Sequence, residues 1–363
     1  MELHVRSSDW YAHKHESDTA YDNVVFHVVW EHDVPIFDTD ERPISTLELC
    51  RFVPPDFIDR YHAFMETPHQ WIPCEAHLSD FDTTTQRLFF DRLFVERLAD
   101  KTAVFQHWLD QSKNDWEGVL FVALAKGFGL ALNGASFAQM ALSVPFGVVR
   151  HVRGHPPTLE ALLMGQAGVL NTETEDAYLD LLREKHLFLK KKHKLTAPAP
   201  PARFFRARPS NFPTIRLSQL AQLYESSPKL FDRLVQTSSL EDLYKLLDVG
   251  VSDYWRTHFV FGKTTQSSAK KLTPSFKSLL VINTLIPFLF CYYKAYGMSK
   301  THILMDWACE LKAEQNSVVK KFKTLGLQIQ SALDSQAVLQ LKKHYCQPKK
   351  CLQCALGHEL FQS

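Results

Sequence analysis

Imidazoles crowd the start of this chain. His4, His13, His15 and His27 fall among the first thirty residues, together with Glu2 and Asp18. Glu2 and His4 stand two apart in the alternating run Glu-Leu-His-Val-Arg, and a strand turns positions i and i+2 to one face. A carboxylate and an imidazole on one face can share a divalent metal or hold a water between them. His13 and His15 repeat the spacing, and His27 approaches from the next apolar run. Oxygen ligands suit Mg²⁺, whereas imidazoles suit Zn²⁺ or Mn²⁺. Glu2, His4, His13, His15 and His27 are therefore the candidate catalytic set, around a divalent metal. The plainer alternative is a solvated, His-rich loop beside a strand whose polar face meets water.

Two further groups of residues carry possible chemistry. Arg206, Arg208 and Arg216 are interleaved with Phe204, Phe205 and Phe212 and stiffened by Pro209 and Pro213. Guanidinium forks bind phosphates bidentately, and interleaved aromatics occur on single-strand binding surfaces. These three arginines are the candidate phosphate contacts, for nucleic acid or another anionic ligand. Lys190, Lys191, Lys192 and Lys194 adjoin them. The competing reading is a connector that pins its arginines to acidic helix faces. Near the C-terminus, Cys346-x4-Cys351-x2-Cys354-x3-His358 offers three thiols and an imidazole, enough to close a tetrahedral zinc site of structural type. Reduced thiols in a C-terminal turn are the alternative.

The elements that must position these groups follow from hydropathy. Residues 2–6 and 24–30 read as strands, the second largely buried, and a third short strand is expected near Val34 to Phe37. Ser17 or Asp18 can cap a helical turn between the first two. Beyond residue 55 the spacing predicts helices, notably 84–112, 115–131, 159–164, 173–190, 215–225 and 275–296. Glu160 and the Gly165 to Gly168 run read as ordinary helix-face and helix-end residues. Charge is balanced, with 41 basic and 40 acidic residues, so nucleic-acid binding needs a local patch. Seven scattered Cys argue against a secreted disulfide framework, and no apolar leader opens the chain. The longest apolar run, Leu279 to Tyr293, is interrupted by Asn283 and Pro287 and reads as a core helix, so no membrane contact and a cytoplasmic location are expected.

Strand, Glu-x-His, short connection and second strand together resemble the core of PD-(D/E)XK phosphodiesterases, where a Glu-x-Lys strand supplies a metal ligand and a charge stabiliser. His4 stands where that family has Lys, and the aspartate of its preceding strand has no counterpart here. Over nearly its whole length the chain also resembles an uncharacterised bacterial family known only as a domain of unknown function. The carriers are Ser7-Ser8-Asp9-Trp10 with His13, His15, Asp18 and Tyr21 to Val25; Asp115-Trp116-Glu117; Glu160 to Gly168; Arg206 to Leu217; Tyr254-Trp255; and Tyr345 to Cys354. Members of that family begin with an additional Gly- and Asp-rich segment, which implies that Met1 is a late start and that part of the first sheet is missing.

The expected architecture is α+β: a small β-rich subdomain (1–55) on a large mainly helical body (56–195 and 217–342), with a Pro/Arg-rich connector (196–216) and a Cys-rich knuckle (343–363). Two functions fit. One is a metal-dependent phosphodiesterase or nuclease. The other is a non-catalytic helical binding or scaffold protein with a structural zinc knuckle.

Overall fold

The structure is a computed structural model that describes residues 3–66, 70–155, 157–196 and 200–362. The fold is α+β. Its chain contacts define two units: residues 1–85 with 343–363, and residues 86–342.

In the first unit β1 (His4–Arg6), β2 (Phe26–Glu31) and β3 (Ser45–Glu48) form a parallel sheet in that order. Parallel neighbours need a crossover. Between β1 and β2 it consists of α1 (Asp9–Ala12) and two single 3-10 turns, His15–Ser17 and Thr19–Tyr21. The Asp18 carboxylate caps the second turn by accepting from the Ala20 amide at 2.9 Å. β2 is buried on one face only, at His27 and Val29, while Phe26 is exposed. The third strand lies later than the apolar run Val34 to Phe37 suggests. There Phe37 makes only an isolated bridge to Pro43. Pro35 has no N–H to give a ladder, and the carbonyls of Val34, Pro35 and Phe37 accept from Ser7, Tyr11 and Trp10 side chains. The same unit contains α2 (Phe57–Glu66) and a C-terminal helix, Ala355–Gln362. Phe361 packs against Phe57, Tyr61 and Phe64 with centroids 5.2–5.8 Å apart, which fixes the tail to α2.

The second unit is helical. It takes in most of α3 (Thr83–Ser112), followed by α4 (Trp116–Phe128), α5 (Leu130–Leu142), α6 (Phe146–Val152), α7 (Thr158–Gln166), α8 (Ala177–Lys192) and α9 (Pro213–Ser226). Asp115 and Asp176 cap α4 and α8 through hydrogen bonds to backbone amides, each contributing about 1 kcal/mol. Phe90, Phe94, Phe121, Phe128, Phe137 and Phe288 are among the largest fully buried side chains. The apolar stretch Pro274–Ala295 is long enough to cross a membrane, but 72% of its most apolar window is buried inside the protein, as a core helix requires.

Of the Pro/Arg-rich connector, residues 200–216 lie inside the second unit and are strapped down. The Arg203 amide donates to Asn133 Oδ1 at 2.7 Å, Asn133 Nδ2 donates to the Arg203 carbonyl at 3.0 Å, and the Ala202 amide donates to the Ala167 carbonyl at 3.0 Å. Of the Pro-rich spacer, Ala197, Pro198 and Ala199 lie outside the described residues.

Candidate functional site

β1 and β2 run parallel with His4 opposite Val29. His27 lies two residues before Val29, so both imidazoles emerge on the same buried face. Their rings meet, with His4 Nδ1 3.0 Å from His27 Nε2.

The turn after β1 brings two more imidazoles back. Ser7 is fully buried, and its hydroxyl lies 2.7 Å from the Val34 carbonyl and accepts from the Asp33 and Val34 amides. Asp33 in turn accepts from the Ser8 hydroxyl at 2.6 Å and the Ser8 amide at 2.9 Å. These bonds hold its carboxyl well below the usual carboxylate range. Trp10, 2% exposed, donates its indole N–H to the Phe37 carbonyl and sets its edge against His15 and His27, both at 5.3 Å. The Ser-Ser-Asp-Trp motif thus fixes where the chain goes after β1.

Lys14 then adopts a left-handed conformation, φ +62°. Such a backbone is unfavourable for a residue with a Cβ and persists where its surroundings require it. The bend lets His13 and His15 face the same point. His4, His13 and His15 each present a ligand atom within 4.8 Å of the others, the only such group of three among the described residues. Ring centroids lie 4.9 Å (His4–His13), 5.4 Å (His4–His15) and 5.5 Å (His13–His15) apart. Tetrahedral zinc with Zn–N bonds of about 2.05 Å needs nitrogens roughly 3.4 Å apart, against the 4.8 Å within which these three atoms lie. The donor set of three imidazoles suits Zn²⁺, Co²⁺, Ni²⁺ or Cu²⁺ better than Mg²⁺.

His27 stands behind this group. A histidine that binds a metal through one ring nitrogen holds its orientation through the other, and His4 Nδ1 is the nitrogen that meets His27. Burial, then the neighbouring His4, His15 and His32, push the His27 pKa down. His27 Nδ1 is buried without a hydrogen-bond partner. His4 and His27 also border a cleft of about 710 Å³ walled by Trp10, Tyr21 and Phe26. Glu2 lies outside the described residues.

The arginines belong to the second unit and do not share one environment. Arg216 is buried. Its guanidinium stacks 3.5 Å over Phe276 and donates to Gln219 Oε1 (2.8 Å) and Asn211 Oδ1 (2.6 Å). Burial pushes its pKa down to about 10. Arg206 and Arg208 are exposed, with Arg206 lying over Phe205.

At the C-terminus Cys351 and Cys354 are buried, Cys346 is half-buried and His358 is exposed. The Cys354 amide donates to the Cys351 carbonyl at 3.1 Å, closing a tight turn. The residue missing from the sequence reading is Cys74, a buried thiol of the same unit. Burial, then Cys354 and Cys351, push its pKa up to about 12, and burial and Cys354 push Cys351 up to about 11. Nothing in the spacing of Cys74 announces this, since it lies far from the C-terminal motif in sequence.

Glu160 is likewise no surface charge. It is 2% exposed and accepts from Tyr178 (2.7 Å), Ser218 (2.5 Å) and Trp255 (3.1 Å). Three donors satisfy a buried carboxylate, and they join the Glu160 and Tyr254-Trp255 motifs into one polar core.

No curated protein and no solved structure matches the chain. Residues 1–317 match the family described as "Protein of unknown function (DUF2851)", and the chain belongs to that family.

Proposed function

We propose that this protein is a metal-dependent phosphodiesterase acting on nucleic acid, centred on His4, His13 and His15. The observation that carries this reading is the convergence of three imidazoles, from β1 and from both sides of Lys14, beside an open cleft. Three protein ligands leave a fourth position for water, the arrangement of catalytic rather than structural zinc. A bound divalent ion supplies Lewis acidity and a hydroxide near neutral pH. The chain's own residues do the remaining work. His27 meets His4 at Nδ1 and holds its ring. Trp10 and Tyr21 wall in His15, and Tyr21 and Phe26 offer the cleft flat faces for a base. Separately, Arg206 and Arg208 give the second unit two surface forks for an anionic backbone, and Arg216 braces the segment carrying them.

The test is hydrolysis of bis(p-nitrophenyl) phosphate and of single-stranded DNA by Zn²⁺- or Mn²⁺-loaded protein. Metal-dependent turnover should be lost in His13→Ala/His15→Ala. Equal turnover in that variant would overturn the assignment.

One observation favours a second reading, a non-catalytic binding protein with a structural zinc. Cys74, Cys351 and Cys354 are three buried thiols of one small unit, and the charges of Cys354 and Cys351 act on Cys74. In this reading a zinc would draw these thiols together with Cys346 or His358 and tie the tail to the N-terminal segment. Zinc lost in Cys351→Ser/Cys354→Ser, retained in His13→Ala/His15→Ala, and no hydrolysis would support it.

A further inference from the structure

The second unit holds a cavity of about 650 Å³ between α3, α4, α5 and the stretch Pro274–Ala295, within the usual range for small-molecule pockets. Its apolar side includes Phe105 and Trp108, both largely buried. Its polar groups are Lys101, Lys126, Asn283 and Thr284.

Asn283 reaches this cavity from an irregular turn. Residues Val281–Leu285 form a π-helical turn inside an otherwise apolar α-helical run. Such one-residue insertions strain the helix ladder and occur often at functional sites. Here the turn presents Asn283 and Thr284 to the cavity at adjacent positions.

Charge on the polar side is not balanced. Lys101 Nζ donates to Asn283 Oδ1 and Gln336 Oε1, both at 3.3 Å, which are long bonds to neutral acceptors. Arg97 Nε donates to the same Gln336 Oε1 at 2.5 Å. Glu314 hydrogen-bonds into the network through amides, with Asn283 Nδ2 donating to it at 3.0 Å and Gln336 Nε2 to its other oxygen, and its charge acts through space on Arg97 and Lys101. Among the described residues no carboxylate makes ion-pair contact with Arg97, Lys101 or Lys126. Lys126 lies at the exposed rim, its ammonium 5.7 Å from the Trp108 ring centre. Three cations, Arg97, Lys101 and Lys126, thus face two acids, Glu314 and Asp100, and one positive charge is in excess next to an apolar wall.

We propose that this cavity is a binding site for a small amphipathic carboxylate, its anionic head held by Lys101 and Asn283 and its apolar or aromatic body lying against Phe105 and Trp108. The carboxylate supplies the missing negative charge, and Lys126 closes over it at the rim. Without it, burial and then the neighbouring Arg97 push the Lys101 ammonium down to about 7; an anion at that point restores the charged form. The site is separate from the metal centre, and its failure would leave the phosphodiesterase reading untouched.

The probe is 8-anilinonaphthalene-1-sulfonate, an anion on a fused aromatic body, titrated by fluorescence into the full chain. Saturable binding with one site is expected, displaced by 4-phenylbutyrate and not by the neutral 4-phenylbutyramide. Lys101→Met should weaken the probe roughly tenfold, the loss of one charge-assisted contact. Ala131→Trp, at an exposed position on the rim, should abolish binding without disturbing the core; it decides the matter if Lys101→Met does not fold. Absence of saturable binding, undiminished binding in Ala131→Trp, or equal displacement by the amide would overturn the proposal.

Discussion

Replacing His27 by Phe separates metal binding from folding more cleanly than replacing a ligand. The substitution keeps an aromatic ring of similar size on the buried face of β2, next to Val29 and Trp10. It removes the nitrogen that lies 3.0 Å from His4 Nδ1. Loss of such an orienting partner lowers metal affinity about 10–100-fold, equivalent to roughly 1.4–2.7 kcal/mol. The metal-free protein should hardly notice. The variant deprives His4 Nδ1 of one contact, which costs about 1–2 kcal/mol. It also removes His27 Nδ1, a buried nitrogen with no partner, which gains about as much. Any residual imbalance of about 1 kcal/mol would move the melting temperature of a unit this size by only about 4–8 °C. Protein stripped with a chelator is titrated with Zn²⁺ against a fluorescent chelator, and the stripped forms are melted in parallel. A dissociation constant within threefold of wild type would refute the role given to His27. A collapse of the metal-free form would refute the offsetting energetics.

Three further outcomes follow from the geometry. Lys14→Gly should keep metal affinity, because glycine accepts φ +62° freely, whereas a β-branched Val is strongly disfavoured there and should weaken it; the same titration checks both. Asp33→Asn should lower the melting temperature at pH 7 and lose its effect in acid. The depressed Asp33 carboxyl stabilises the fold above its unfolded pKa of about 4, and that contribution fades as pH falls through the folded value; melts from pH 7 to pH 2 test the sign. Glu160→Gln leaves at least one of the Tyr178, Ser218 and Trp255 donors facing an amide N–H. It should destabilise the second unit by about 2–4 kcal/mol, since hydrogen bonds to charged groups are the stronger ones, as read by denaturant unfolding.

The sequence showed the helices and the histidine cluster because both are local signals. Hydrophobic spacing marks α3, α4 and α8, and the repeated His-x-His spacing flags His13 and His15. Other features depend on partners distant in sequence. Val34 to Phe37 has strand-like residues, but Ser7, Trp10 and Tyr11 occupy its carbonyls, and the strand forms instead at Ser45–Glu48. The burial of Arg216 is hidden in the sequence because Phe276, on which its guanidinium stacks, lies 60 residues further along the chain. Glu160 reads as a helix-face charge because its donors lie on α8, on α9 and at Trp255. Cys74 and the π-helical turn carrying Asn283 have no short motif at all. They emerge only from packing.

The most direct measurement is elemental analysis of purified wild type, His13→Ala/His15→Ala and Cys351→Ser/Cys354→Ser side by side. A metal centre at His4, His13 and His15 predicts a bound divalent transition metal in wild type, its loss in the histidine variant and its retention in the cysteine variant. Undiminished metal in the histidine variant would contradict the central claim.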